Sequence, residues 1–109
     1  MYVLVWYVPE SHLEKTKDAV FASGGGKMGD YERCSWQCIG KGQFLPNQGS
    51  SPFIGRVGEL ETVDEYRVEV AVTEENATEA VHALLKAHPY ETCAYHLIPV
   101  LTIEYDRSN

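Results

Sequence analysis

Basic residues are in short supply. Nine Lys and Arg stand against 16 Asp and Glu, a net charge of −7 with His neutral, and this deficit excludes the basic footprint that non-specific nucleic-acid binding needs. The acids are spread along the chain rather than gathered into a tail, which reads as a solvated surface. Cysteine is sparse and odd in number, at three. No two are spaced as CxxC, and on an extended segment Cys34 and Cys38 stand roughly 13 Å apart, too far for a disulfide. The thiols read as reduced and the protein as cytoplasmic. No apolar run approaches membrane-spanning length, so no membrane partner is expected. Met1 leads straight into a strand without the basic segment of a signal peptide.

What is present suits one domain covering residues 1–109, with a long loop at about 40–60. Tyr2 to Val8 is apolar on both faces, the mark of a central strand, and Pro9 ends it. Glu10 to Ser23 reads as a helix with capping-box spacing at Ser11 and Glu14 and a stop at Gly24. Leu13, Val20 and Phe21 mark its buried side, and its middle, Glu14 to Asp18, reads as solvated. The following Gly24-Gly25-Gly26-Lys27 lacks P-loop spacing and follows a helix, so it reads as a flexible connection rather than a phosphate cradle. Tyr31 to Ile39 alternates as a second strand, and Val63 to Val72 as a third, with Tyr66, Val68, Val70 and Val72 on one face.

Thr73 offers an N-cap with Glu74 and Glu75 in the first turn. Ala77, Ala80, Val81, Leu84, Leu85 and His88 then recur at helical spacing. Pro89 stops the helix and pushes His88 out of helical geometry. Glu91 to about Tyr105 reads as the last strand, with Pro99 marking an edge or bulge, and Asp106 to Asn109 as a fraying tail. The order strand, helix, strand, loop, strand, helix, strand gives an α+β ferredoxin-like βαββαβ sandwich: a four-stranded antiparallel sheet with two helices on one face. The other face keeps Ile98, Val100 and one side of the first strand, an apolar patch that usually marks a partner.

Tyr7-Val8-Pro9-Glu10, Met28-Gly29-Asp30-Tyr31, Gly40 to Pro46, Pro52 to Glu61, and Ala87-His88-Pro89-Tyr90-Glu91 with Ala94-Tyr95 fall in order along nearly the whole chain. Through them the sequence resembles a stand-alone version of the domain inserted in YqfO-type dinuclear-metal proteins, a domain similar in fold to CutA and PII signalling proteins. Lys27, Met28 and Asp30 depart from the histidine, isoleucine and asparagine that the family often carries there. The dinuclear-metal site of the larger proteins lies in halves that this sequence does not contain. The resemblance therefore implies no hydrolase or cyclohydrolase activity. It implies a homo-oligomer, a trimer before a dimer, and a loop in the position of the PII loop that senses ligands and touches partners.

Two candidate sites follow. The loop offers glycines that let a ligand approach the backbone, Gly42 and Gly55 among them, with Phe44 and Phe53 for apolar or stacking contact and Arg56 for a phosphate or carboxylate. Tyr90 stands at the corner beyond the second helix. Phe44, Leu45, Phe53 and Ile54 equally suit packing onto a neighbouring subunit, which would make the loop an assembly clamp. The second candidate is a divalent metal ion held by His88 and Glu91, both sound ligands for zinc or copper. Against it stands the plainer role of His88 in completing the helix face and capping its last carbonyls. No nucleophile or general-base set stands out, so the expectation is a non-enzymatic module that binds a small molecule or protein partner, with metal binding as the alternative and no cofactor certain.

Overall fold

The structure, a computed structural model, describes residues 1–103. Four strands and two α-helices follow in order: β1 (Tyr2–Val8), α1 (Leu13–Ala22), β2 (Trp36–Phe44), β3 (Glu61–Val72), α2 (Ala77–Ala87) and β4 (Tyr95–Pro99). The sheet order is β2-β3-β1-β4 with every neighbouring pair antiparallel, and both helices pack on one face. This is the ferredoxin-like arrangement the sequence predicts. β1, apolar on both sides, is central, and β4, which ends at Pro99, is an edge. The last strand is shorter than the expected run from Glu91: it starts at Tyr95 and ends at Pro99, with residues 100–103 outside any strand. Tyr105 and the expected fraying tail lie outside the described residues.

The core follows from strand periodicity. Leu4, Trp6 and Val8 of β1 and Val68, Val70 and Val72 of β3 share the face that meets Leu13 and Val20 of α1 and Ala77, Ala80 and Leu84 of α2. Phe21 and Val81 pack against this cluster from its margin, whereas Leu85 lies outside it and is exposed. Thr16, read from the sequence as solvated, is fully buried. The cause is the Trp6 indole: its N–H donates to Thr16 Oγ1 at 3.1 Å, and that hydroxyl donates on to the Leu13 carbonyl at 2.9 Å. A buried indole needs an acceptor, and Thr16 sits on the Leu13–Val20 stripe at i+3.

Helix entries differ from expectation. The Ser11–Glu14 capping box does not form. Glu10–His12 instead makes a 3₁₀ turn closed by the His12 N–H on the Pro9 carbonyl, and Ser11 Oγ meets His12 Nδ1 at 2.8 Å. Thr73 is not the cap of α2. Its carbonyl closes a turn onto the Asn76 N–H, and Asn76 is the N-cap. Asn76 also packs on Gly24, where a Cβ would lie 2.6 Å from Asn76 Nδ2. Gly24 at φ +102 ends α1 as predicted. The glycine run is docked rather than flexible: the N–H groups of Gly24, Gly25 and Gly26 donate to the Phe21, Val20 and Ala71 carbonyls. None is left to cradle a phosphate.

β2 begins and ends later than its alternation suggests. Cys34 N–H is drawn back to the Gly26 carbonyl, and Met28 and Tyr31 bridge each other, so the strand starts at Trp36. It then runs through Gly40 and Gly42 to Phe44, paired with β3 as far as Glu61. The expected loop therefore loses its first residues to a ribbon that projects past Val8, the end of β1. The loop proper is 45–60. On the open face of the sheet, Val5 is also fully buried, flanked across the strands by Glu69 and His96. Tyr7, Arg67, Glu69 and His96 interrupt the apolar patch expected there, with the Arg67 guanidinium donating to the Tyr7 hydroxyl at 2.8 Å and to Glu69 at 3.3 Å. Exposed apolar surface on this face is left toward the sheet edges, at Trp36 on β2 and at Ile98 and Val100 on the β4 side.

Candidate ligand site

Beyond the end of β1 three pieces of chain meet: the projecting β2–β3 ribbon, the loop 45–60 and the turn between α2 and β4. They enclose a cavity of about 410 Å³ whose walls include Tyr7, Phe44, Phe53, Glu65, Tyr90 and Glu91. Pro89 makes the turn. It holds His88 extended (φ −75°, ψ 140°) while the His88 N–H still closes α2 on the Leu84 carbonyl at 2.9 Å.

His88 is the post on which the corner stands. The residue is 7% exposed. Nε2 lies 2.7 Å from the Tyr7 carbonyl, and Nδ1 accepts the Tyr90 N–H at 3.1 Å. These partners define the neutral tautomer with the proton on Nε2. Burial lowers the His88 pKa below the ordinary imidazole value; the Tyr7 carbonyl opposes this and the charge of His12 adds to it. The Tyr90 ring stacks edge-on against His88 at 4.8 Å between centroids and tilts toward Phe44 (6.4 Å) and Phe53 (6.3 Å). Phe53 in turn meets the His12 ring at 5.6 Å, tying the loop to the first strand–helix corner.

Polar contacts close the wall. The Tyr90 hydroxyl donates to Glu65 Oε2 at 2.9 Å. Burial and then that carboxylate hold the phenol well above its usual range, so it stays a neutral donor. Glu65 lies over Gly42, where any Cβ would collide with its carboxylate; the strand glycine makes room for the acid. Glu91 Oε1 accepts the Ser51 N–H at 2.8 Å, a bond that joins residues forty apart and straps the loop to the turn. Cys93 nearby is pushed up to about 11 by burial and by the charge of Glu65, which leaves it a thiol.

Of the residues singled out in the sequence, Gly42, Phe44, Phe53, Tyr90 and Glu91 line this one cavity. Gly55 and Arg56 stand on the loop outside its lining. His88 lies beneath it with both ring nitrogens taken, so a metal there would have to displace the Tyr7 carbonyl or the Tyr90 amide. Among the described residues no three His, Cys, Asp or Glu side chains gather as a metal-ligand group. Sequence reasoning missed Tyr7 and Glu65. The only signal for Glu65 is that its carboxylate needs a glycine on the neighbouring strand, Gly42, diagonal to it in the register, and that juxtaposition is invisible before the register is known.

No family model matches the chain. The "GTP cyclohydrolase 1 type 2 homolog" of Halalkalibacterium halodurans is 41% identical over 100 residues, which cover 92% of this chain and 27% of that protein. A Bacillus cereus protein related to NIF3 superposes with a TM-score of 0.79 at 32% identity, over 91% of this chain and 25% of its own. CutA1 of Pyrococcus horikoshii superposes with a TM-score of 0.70 at 15% identity, over 97% of this chain and 89% of its own. The chain thus spans about a quarter of the length of the cyclohydrolase homologs it matches, and its fold is that of the CutA-like proteins. The resemblance drawn from the motifs holds on both counts.

Proposed function

We propose that this chain is a non-enzymatic small-ligand-binding module that works as a homo-oligomer. The observation that carries the reading is the cavity itself: a concave, mainly apolar chamber whose aromatic walls come from three separate parts of the chain and are tied together by hydrogen bonds, the usual build of a ligand site. A chamber that served only packing would be filled by Phe44 and Phe53 rather than framed by them.

The cyclohydrolase name of the longer relatives is not carried over, because this chain aligns with only a quarter of them. The groups around the chamber also argue for binding rather than turnover. The Cys93 thiol is neutral, the Tyr90 phenol is committed to Glu65, and the His88 nitrogens are committed to backbone. Self-association is supported by the two edge strands and by exposed Trp36, Ile98 and Val100; a trimer is our first expectation and a dimer our second.

A thermal-shift screen of a metabolite collection tests the binding function. The expected result is a ligand that raises the Tm of the wild type and has lost that effect on Phe44→Ala and Phe53→Ala. Hits whose shifts survive both replacements, or no hit at all, overturn the reading.

A further inference from the structure

We infer that the ligand of this chamber is an organic cation: an ammonium group, primary or quaternary, on a small apolar body. The inference rests on the chamber being a ligand site and names what enters it.

Three observations on the lining carry it. First, none of the lining residues is basic, while Glu65 and Glu91 both stand in it. Each spends one described bond on the protein, Glu65 Oε2 on the Tyr90 hydroxyl and Glu91 Oε1 on the Ser51 N–H. A carboxylate has about four acceptor sites, so both retain capacity for an ammonium donor. Arg67, the nearby guanidinium, is taken up by the Tyr7 hydroxyl and Glu69 and does not line the chamber. His88 below is held neutral by burial. Second, four aromatic rings line the same space: Tyr7, Phe44, Phe53 and Tyr90. Ring faces attract cations and are indifferent or repulsive to anions. Third, the Tyr90 hydroxyl donates its proton to Glu65, so that proton is not offered to a ligand acceptor, and both residues line the space. A phosphate or carboxylate ligand would enter against two acids with no basic residue in the lining to offset them. A neutral apolar ligand would desolvate the Glu65 carboxylate with only the Tyr90 hydroxyl to compensate. An organic cation satisfies both, placing its charge between the acids and its body on the rings.

The volume agrees. A chamber of about 410 Å³ falls at the lower end of the usual range for small-molecule sites, room for a compact amine but not for a nucleotide together with its hydration.

The test uses three probes of one shape that differ only in charge: choline, its neutral carbon analogue 3,3-dimethylbutan-1-ol, and the anion 3,3-dimethylbutanoate. Binding is followed by NMR titration of the aromatic resonances of Phe44, Phe53 and Tyr90 in the full chain. We expect choline to bind at least about tenfold more tightly than the alcohol, the anion to be weakest, and added salt to reduce the difference. Glu65→Gln and Glu91→Gln keep their local hydrogen bonds and are each expected to weaken choline several-fold while leaving the alcohol unchanged. Putrescine in place of choline separates a preference for primary amines from one for quaternary ammonium. If the alcohol or the anion shifts these resonances as strongly as choline, the chamber is a ligand site and the cation inference is wrong. If both Gln variants bind choline as the wild type does, the carboxylates do not recognise the charge and the inference also fails. If none of the probes moves these resonances, the inference falls, and the metabolite screen alone decides the chamber's role.

Discussion

His88 shows how a single side chain ties fold to site. Burial favours its neutral imidazole over the opposing pull of the Tyr7 carbonyl, and its folded pKa is depressed. The unfolded chain therefore takes up a proton before the folded one does. The stability held in this group is complete above an unfolded-state pKa of about 6.5 and is lost as pH falls below it toward the depressed folded value. Urea unfolding between pH 8 and pH 5 is expected to show this loss, and His88→Asn to flatten it; equal slopes in both proteins would remove His88 as the cause. Thr16 makes a second point at this scale. Thr16→Val keeps the shape but leaves the Trp6 indole N–H without its acceptor, at an expected cost of about 1–3 kcal/mol in denaturant unfolding. A value near zero would mean that the indole finds another partner. Neither role could be read in the sequence with certainty. The spacing of Leu13, Thr16 and Val20 offers Thr16 to the sheet, but threonine in a run of charged residues reads as surface until the indole above it is known.

At the scale of elements, what could be read was whatever repeats. The unbroken apolar run of β1, the alternation in β3 and the three-and-four spacing in α2 are local patterns, and they place the central strands and the second helix correctly. Leu84→Ala is expected to cost about 2–5 kcal/mol, since the residue is fully buried; a cost near zero would detach α2 from the core. What could not be read was set by partners distant in sequence. β2 extends through Gly40 and Gly42 because β3 is long enough to pair with it, and its start is delayed by a carbonyl of Gly26. The N-cap of α2 moves to Asn76, the residue that packs on Gly24. In the site the same division holds. The aromatic residues and Glu91 stand out by composition, whereas Tyr7 and Glu65 join them only through register. Gly42→Ala tests that register directly. It is expected to drive Glu65 off Tyr90 and to return the phenol toward its ordinary titration range, measured by ultraviolet absorbance; an unchanged Tyr90 titration would show that the carboxylate can move aside without loss.

For the whole molecule, the open face is the feature that bears on assembly. Its centre is covered by Tyr7, Arg67, Glu69 and His96, and the apolar residues lie toward its edges, so copies are expected to join edge to edge rather than face to face. Sedimentation equilibrium at micromolar concentration is expected to show a species of three, or failing that two, 12.2 kDa chains; a monomer alone would sink the assembly. The chain carries two tryptophans, and the fold has sorted them. Trp6 is fully enclosed against Thr16, while Trp36 stands 57% exposed at the outer strand. That sorting gives the protein two built-in optical reporters of different events. Acrylamide will quench the red-shifted emission of Trp36 and spare the blue-shifted emission of Trp6. Shielding of Trp36 will then record the approach of another copy while Trp6 remains dark to the quencher, and only the loss of the core will expose them both.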